Sequence, residues 1–312
     1  MSRITATQAL VLFSGGLDSI LAVKILTLQK IEVTGITFCS YFFDDTQAKK
    51  VAKNLDIPLK VVDFSDEHLK MVKKPKYGYG ANMNPCIDCH TLMIRRAKKV
   101  MEEKKIDFVA TGEVLGERPM SQNPQALKLI EALSGLEGCL LRPLSARLLP
   151  ETIAEKNGLV NREKLLAISG RSRKPQMELA KKWKIKSWPT PAGGCLLTDP
   201  GFSKRLKKLF EIFPACGGND ILLLKYGRHF WEAKTKIIVG RNKEENEKIE
   251  NLAQKGDIII QIQNYPGPST LVRNYLRKKI PQAVIKKACG LTQYYSTKTR
   301  DKKDVKFKIR FY

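Results

Sequence analysis

Six consecutive residues, Ser14-Gly15-Gly16-Leu17-Asp18-Ser19, join a short apolar run to a stretch with helical periodicity. Two glycines let a backbone turn sharply and approach an anion with no Cβ in the way. A helix that opens there presents unpaired N–H groups and the positive end of its dipole, an anion site. Ser14 and Ser19 add hydroxyl donors, and Asp18 is suited to hold a Mg2+ that bridges phosphates. A Walker-type lysine is missing, which disfavours a kinase or GTPase mechanism. A bare Gly-Gly would read as a ligand-free turn; all six residues at the first strand–helix junction of an α/β domain read as a phosphate-binding loop.

Thiols form the second chemical group. Cys86 and Cys89 make a C-x-x-C pair, while Cys39, Cys139, Cys195, Cys216 and Cys289 are dispersed. A cytoplasmic chain is not expected to use them as a disulfide framework. The pair precedes a helix whose apolar side is Met93, Ala97, Val100 and Met101. Cys89 therefore falls in the first turn, where the dipole and nearby Arg95 and Arg96 favour thiolate. Cys195 ends Pro189-Thr190-Pro191-Ala192-Gly193-Gly194-Cys195, a stiff and then permissive turn suited to a loop beside an active site. A zinc site would need a second pair, which Cys216 and Cys289 do not supply. Three readings stand: inert thiols, persulfide exchange between Cys89 and Cys195, or an iron–sulfur cluster on Cys86, Cys89 and Cys195.

The elements that must position these groups alternate along the first half. Ala9–Phe13 is a continuous apolar run, as in a strand buried on both faces. An amphipathic helix follows over Ser19–Leu28, with strands at Glu32–Phe38, Leu59–Val62, Asp107–Ala110 and Leu140–Leu141 and a helix at Gln47–Leu55. This rhythm predicts a parallel sheet between helices, with ligands at the carboxyl ends of the strands. Lys73–Pro85, with two prolines and two glycines, reads as a binding loop. Phe213–Asn219 reads as a linker, so the domains are expected at 1–215 and 216–312. In the second, Phe230–Val239, Asp257–Gln263 and Val305–Tyr312 read as strands, Lys243–Gln254 and Pro281–Ala288 as helices.

Charge points to the partner. Lys and Arg number 56 against 31 Asp and Glu, a net of +25. A Lys-rich thermophilic surface would raise Glu as well; this excess instead suits a polyanion. Between Lys298 and Arg310, Lys298, Arg300, Lys302, Lys303, Lys306, Lys308 and Arg310 stand against two acidic residues, with Phe307, Phe311 and Tyr312 interleaved. Cations neutralise phosphates and exposed rings stack on bases, so these seven are the candidate RNA contacts. The aromatics serve equally well as one face of an edge strand. No apolar run approaches the ~18 residues of a membrane span, and a cytoplasmic location is expected. His68 and His229 read as surface or satisfied residues.

The six-residue loop is the signature of the PP-loop ATP pyrophosphatases, which implies splitting of ATP to AMP and pyrophosphate. Asn84-Pro85 through Cys89 resembles the cysteine motif of the tRNA 2-thiouridylases. That likeness implies Cys89 as catalytic nucleophile, Cys195 as the second catalytic cysteine, and Asp18 beside the phosphates. Many of those enzymes carry Asp where Cys86 stands. Related PP-loop thiolases with C-x-x-C and one distant cysteine bind a [4Fe–4S] cluster, which implies Cys86, Cys89 and Cys195 as its ligands; persulfide exchange would leave Cys86 idle. Thr111-Gly112-Glu113-Val114-Leu115-Gly116, Ser121-Gln122 and Leu141-Arg142-Pro143-Leu144 resemble the tRNA 4-thiouridine synthetases, and these likenesses span about residues 9–200. They place Gly112 and Gln122 near the nucleotide or substrate, and adenine is expected against Thr37 and Phe38. Residues 216–275 resemble the RNA-binding domain of the NFACT proteins, although Tyr265-Pro266-Gly267-Pro268-Ser269 replaces a usual His-Gly pair.

The expected protein is thus an adenine nucleotide alpha hydrolase-like α/β domain joined to a smaller α+β RNA-binding domain. Its expected reaction is ATP-dependent tRNA uridine thiolation with ATP, Mg2+ and a [4Fe–4S] cluster. Its partners would be tRNA and a sulfide source or sulfur-donor protein, with a homodimer left open. The alternatives are a PP-loop adenylating enzyme that uses a persulfide relay or a nitrogen nucleophile, and a non-catalytic RNA-binding protein.

Overall fold

The computed structural model describes residues 6–185, 188, 194–276 and 278–312, in two compact units that divide between Thr198 and Asp199. In the first, the elements run β1 (Gln8–Leu12), α1 (Leu17–Thr27), β2 (Glu32–Cys39), α2 (Thr46–Leu55), β3 (Leu59–Asp63), α3 (Ser65–Lys73), α4 (Cys86–Lys104), β4 (Phe108–Thr111), α5 (Pro124–Ser134), β5 (Leu140–Leu141), α6 (Ile153–Lys156) and α7 (Lys174–Lys182). The five strands are all parallel, in the order β3-β2-β1-β4-β5.

The apolar run that opens the chain feeds both sides of this sheet. Ala9, Val11 and Phe13 enter the core shared with α1, whereas Leu10 and Leu12 enter the one shared with α4. Burial on both faces thereby explains the continuous apolar run Ala9–Phe13. α1 is buried nearly all round, from Leu17 through Leu26, and not on one face as its spacing suggested. A helix enclosed on every side has no need of a polar face. The direction of chain winding reverses between β1 and β4, and at such a switch point the strand ends leave a crevice.

The second unit begins earlier than the expected boundary at 215/216. α8 (Pro200–Ile212) is fixed within it: Arg205 Nε donates to the Leu224 carbonyl at 3.2 Å, and just beyond the helix Phe213 lies against Tyr275, ring centroids 5.0 Å apart. There follow α9 (Gly218–Leu223), β6 (Arg228–Glu232), β7 (Thr235–Val239), α10 (Lys243–Asn251), β8 (Ile258–Ile262), β9 (Thr270–Asn274), α11 (Gln282–Tyr294) and β10 (Phe307–Phe311), with an antiparallel sheet in the order β10-β8-β9-β7-β6. The single strand expected over Phe230–Val239 is a hairpin, Glu232 pairing with Thr235 across a two-residue turn in which Ala233 has φ +49°. No glycine or asparagine marks that turn. β9 also went unread, although Leu271 and Val272 are fully buried.

Candidate functional site

At the crevice, Gly15 has φ +74°, and a Cβ there would lie 2.9 Å from the Gln47 carbonyl oxygen. Only glycine fits both demands. Gly16 is the N-cap of α1; its N–H reaches Ser14 Oγ at 3.3 Å, and Ser19 Oγ donates to the Gly16 carbonyl at 2.8 Å. Leu17 contributes backbone alone, since its side chain is in the core. Gly112 presses on the loop from the end of β4: a Cβ would come within 2.6 Å of the Asp18 carbonyl carbon and the Ser19 nitrogen. Its visible task is to let β4 seat directly on the loop. Thr37 and Phe38 are both buried inside β2, which continues to Cys39, and Phe38 packs on Phe64 with centroids 5.3 Å apart. Phe38 is thereby part of the core and offers no free face to an adenine. Gln122, also buried, bonds Arg118 N–H through Oε1 at 3.1 Å.

Asp18 faces a group that the sequence did not announce. Arg173, at the start of α7, brings Nη2 to 3.5 Å from Asp18 Oδ2. Gln176, one turn later and wholly buried, sits beside them. Burial pushes the Asp18 carboxyl above its ordinary range against the pull of Arg173, Gln176 and Arg118. Asp18 Oδ1, Arg173 Nε and Gln176 Oε1 are all buried without a hydrogen-bond partner. Unpaired buried polar atoms are costly, and three of them at a glycine cradle fit a charged ligand with its cation. Oδ1 of Asp18 is the oxygen available to Mg2+, and Arg173 the cation available to a phosphate. Both lie far apart along the chain, so no local motif joins them.

The thiols are brought together. Cys89, in the first turn of α4 as expected, feels the charge of Cys195 and Cys86, and Cys195 in turn feels Cys86. Two contacts bring the Cys195 segment in: Leu196 N–H bonds the Phe42 carbonyl at 3.0 Å, and Met83 N–H the Leu197 carbonyl at 3.2 Å. The turn from Pro189 to Gly193 lies outside the described residues. The expected thiolate character of Cys89 is reversed: burial first, then Cys195, Cys86 and Asp88, push its thiol well up, and burial takes Cys195 up to about 11. The arginines expected to help are occupied elsewhere, Arg95 on the Leu133 carbonyl and Arg96 on Glu67. A half-buried site crowded with thiols favours a cationic partner that would take them as thiolates.

Among the described residues, no three His, Cys, Asp or Glu side chains converge as ligands of one metal ion. A four-iron cluster makes a different demand, since each thiolate takes its own iron and the sulfurs stand apart. The trio is compatible with that donor set.

One chain of contacts links loop and thiols. Gly112 abuts Asp18; Glu113, the next residue, lies 2.8 Å from His90 Nδ1 through Oε1; and His90 adjoins Cys89. Glu113 is buried, which alone would raise its pKa, yet Arg142 (Nε 3.0 Å from Oε2) and His90 hold it down to about 2. Arg142 also bonds Glu131. Glu113 and Arg142 lie just past β4 and β5, and they meet only because those two strands pair side by side.

The family model described as tRNA methyl transferase HUP domain matches residues 7–132. The parallel sheet and its helices over this stretch are PP-loop HUP-like in fold. The match runs from β1 to α5 and takes in the glycine loop, the C-x-x-C pair and Glu113. A second model, described as NFACT protein RNA binding domain, matches residues 227–312, from β6 to β10 and farther toward the end than the sequence resemblance reached. A tRNA-specific 2-thiouridylase MnmA from Caldicellulosiruptor saccharolyticus is 29% identical over 230 residues, 64% of this chain and 59% of that one. A probable tRNA sulfurtransferase from Clostridium acetobutylicum is 31% identical over 137 residues, 39% of this chain and 33% of its own. The chain therefore spans between a third and three fifths of the length of these curated relatives. The solved U34-tRNA thiolase NcsA from Methanococcus maripaludis with its [4Fe-4S] cluster aligns over 71% of this chain and 73% of its own, at 17% identity and a TM-score of 0.31, too slight a likeness to carry an argument.

In the second unit the expected basic residues lie on and before an edge strand. Lys298, Arg300, Lys302, Lys303, Lys306 and Lys308 are exposed. Arg300 lies over Tyr294 and Lys302 over Tyr265, at 5.3 and 4.4 Å from the ring centroids. Arg310 is paired with Glu250. Phe307 packs on the α11 side of the core, so it is structural, whereas Phe311 and Tyr312 remain 73% and 44% exposed. His68, in the first unit, is neither exposed nor satisfied: its ring is fully buried, stacked on Phe64 at 4.8 Å, and both nitrogens lack partners. Among the described residues no helix is long and apolar enough to cross a membrane.

Proposed function

We propose that this protein is an ATP-dependent tRNA uridine thiolase. In this reading the uridine carbonyl oxygen attacks the α-phosphorus of ATP and pyrophosphate leaves. Sulfide from a donor then adds to the activated carbon, and AMP departs with the oxygen. The observation that supports the reading is the path of contacts from Asp18 through Gly112, Glu113 and His90 to Cys89, along which a polyphosphate on the glycine loop would lie near the three thiols.

The roles follow from the chemistry of each group. Ser14–Ser19 would bind the phosphates through backbone N–H groups and hydroxyls, with Asp18 Oδ1 holding Mg2+ and Arg173 neutralising charge that builds at the α-phosphate. Catalysis of this kind consists mostly of positioning and charge neutralisation. Cys86, Cys89 and Cys195 would hold a [4Fe–4S] cluster, which with only three protein ligands supplies an iron position open to sulfide. The NFACT-type domain would hold tRNA, in keeping with the net charge of +25.

Pyrophosphate release with and without tRNA tests the reading. Release that requires tRNA, and that falls in Asp18→Asn, supports it; release indifferent to tRNA removes the acceptor assignment. Iron and sulfide analysis of anaerobically purified protein tests the cluster. A colourless, iron-free and fully active preparation would defeat it, and activity that survives Cys86→Ser but not Cys89→Ser or Cys195→Ser would indicate persulfide exchange instead.

A further inference from the structure

The second unit contains a groove of about 1520 Å³ that the function above does not use. It lies where β8 begins and β9 ends, bounded by α9 on one side and the start of α11 on the other. Its only acidic side chains among the described residues are Asp220 and Asp257. Both are committed to Arg273, whose Nη1 is 2.7 Å from Asp220 and whose Nη2 is 2.6 Å from Asp257. Both carboxylates are therefore hydrogen-bonded, although the two share a single guanidinium. The open charge belongs to Lys255, Lys278 and Lys279, all exposed and all without an ion pair among the described residues. Phe311 and Tyr312 stand on the same rim, Phe311 the most exposed of the large apolar side chains described.

We infer that this groove binds single-stranded RNA, several nucleotides at a time. Three unpaired lysines outnumber the one carboxylate charge that Arg273 leaves over, which suits a run of phosphates. An exposed aromatic pair offers stacking faces, which only unpaired bases can use, because bases in a duplex already stack on one another. The volume exceeds the ~300–1,000 Å³ of ordinary small-ligand pockets, so a strand fits better than a lone nucleotide. The inference rests on the reading of this unit as an RNA-binding domain, and it places the contact mainly beyond the Lys298–Arg310 stretch.

The experiment titrates the full chain with a fluorescently labelled, unstructured oligoribonucleotide and with an RNA duplex of the same length. Phe311→Ala and Tyr312→Ala are expected to weaken single-strand binding roughly five-fold or more each, with duplex binding unchanged. Replacing Lys255, Lys278 and Lys279 together by Gln should lower the log–log salt slope by about 2, at ~0.7 per phosphate. Because Phe311 and Tyr312 are exposed, their truncation leaves the fold intact, which a melting curve checks. Single-strand affinity that ignores both aromatic changes would overturn the inference, as would equal losses on single strand and duplex. The assay needs no turnover, so a chain that thiolates nothing can still pass it, and an active thiolase can still fail it.

Discussion

Two arginines in this protein each face carboxylates in a buried setting, and they behave oppositely. In the second unit, Arg273 spends every nitrogen: Nε and Nη2 on Asp257, Nη1 on Asn219 and Asp220, with Nη2 also on the Leu252 carbonyl. In the first, Arg173 reaches Asp18 only at 3.5 Å, and its Nε, Asp18 Oδ1 and Gln176 Oε1 are left without partners. A saturated network locks a fold; an unsatisfied one is held in place by its surroundings and waits for something charged. The difference separates scaffold from site more sharply than burial does, since both arginines are largely enclosed.

Mutations should divide along the same line. Arg273→Met is expected to cost the second unit about 3–5 kcal/mol, because it strands two carboxylates in the interior; calorimetry would show one transition lowered while ATP binding by the first unit persists. Asp18→Asn should do the reverse. Turnover should fall about 100- to 1,000-fold, yet stability should hold or rise, since burial disfavours the charge that is removed. An Asp18→Asn protein that is both unstable and active would erase the contrast.

A third change probes burial without function. The His68 pKa is lowered from 6.5 to about 4 by burial. Above pH 6.5 its ring is neutral whether the chain is folded or not. Below that, the unfolded chain takes up a proton that the folded one refuses, so stability drops between pH 6.5 and about 4, by about 3 kcal/mol in all. His68→Phe should flatten that part of the acid-unfolding curve, whereas an unchanged curve would show that the ring is not the source. Arg173→Met should then lower kcat by roughly ten- to a hundred-fold, the worth of a charge-assisted contact, with little effect on melting. Smallest of all, Arg310→Gln should alter stability by about 1 kcal/mol or less, as expected for a partly exposed pair with Glu250.

Much of the first unit was legible because its signals are local. The run at Ala9–Phe13 marked a doubly buried strand, Gly15 and Gly16 marked a turn, and Cys86 with Cys89 marked a helix start; each survives in β1, the loop and α4. Arg173 was illegible because its partner lies at the other end of the domain, and Glu113 because its meaning depends on Arg142 from a neighbouring strand. Cys89 misled for another reason: the helix dipole was visible in the sequence, while the burial that outweighs it was not. In the second unit, the hairpin turn at Ala233 lacks the residues that usually mark one, and α8 joined this unit through Arg205 and Phe213, contacts no linker composition could reveal.

The most direct test incubates the anaerobically prepared protein with tRNA, Mg2+, ATP and sulfide, then digests the tRNA and weighs its nucleosides by mass spectrometry. The expected product is a uridine that has exchanged one oxygen for sulfur, formed with AMP and pyrophosphate in equal amounts and absent with Cys89→Ser. Unaltered uridines beside steady ATP cleavage, or a thiolated product that persists without the three cysteines, would contradict it.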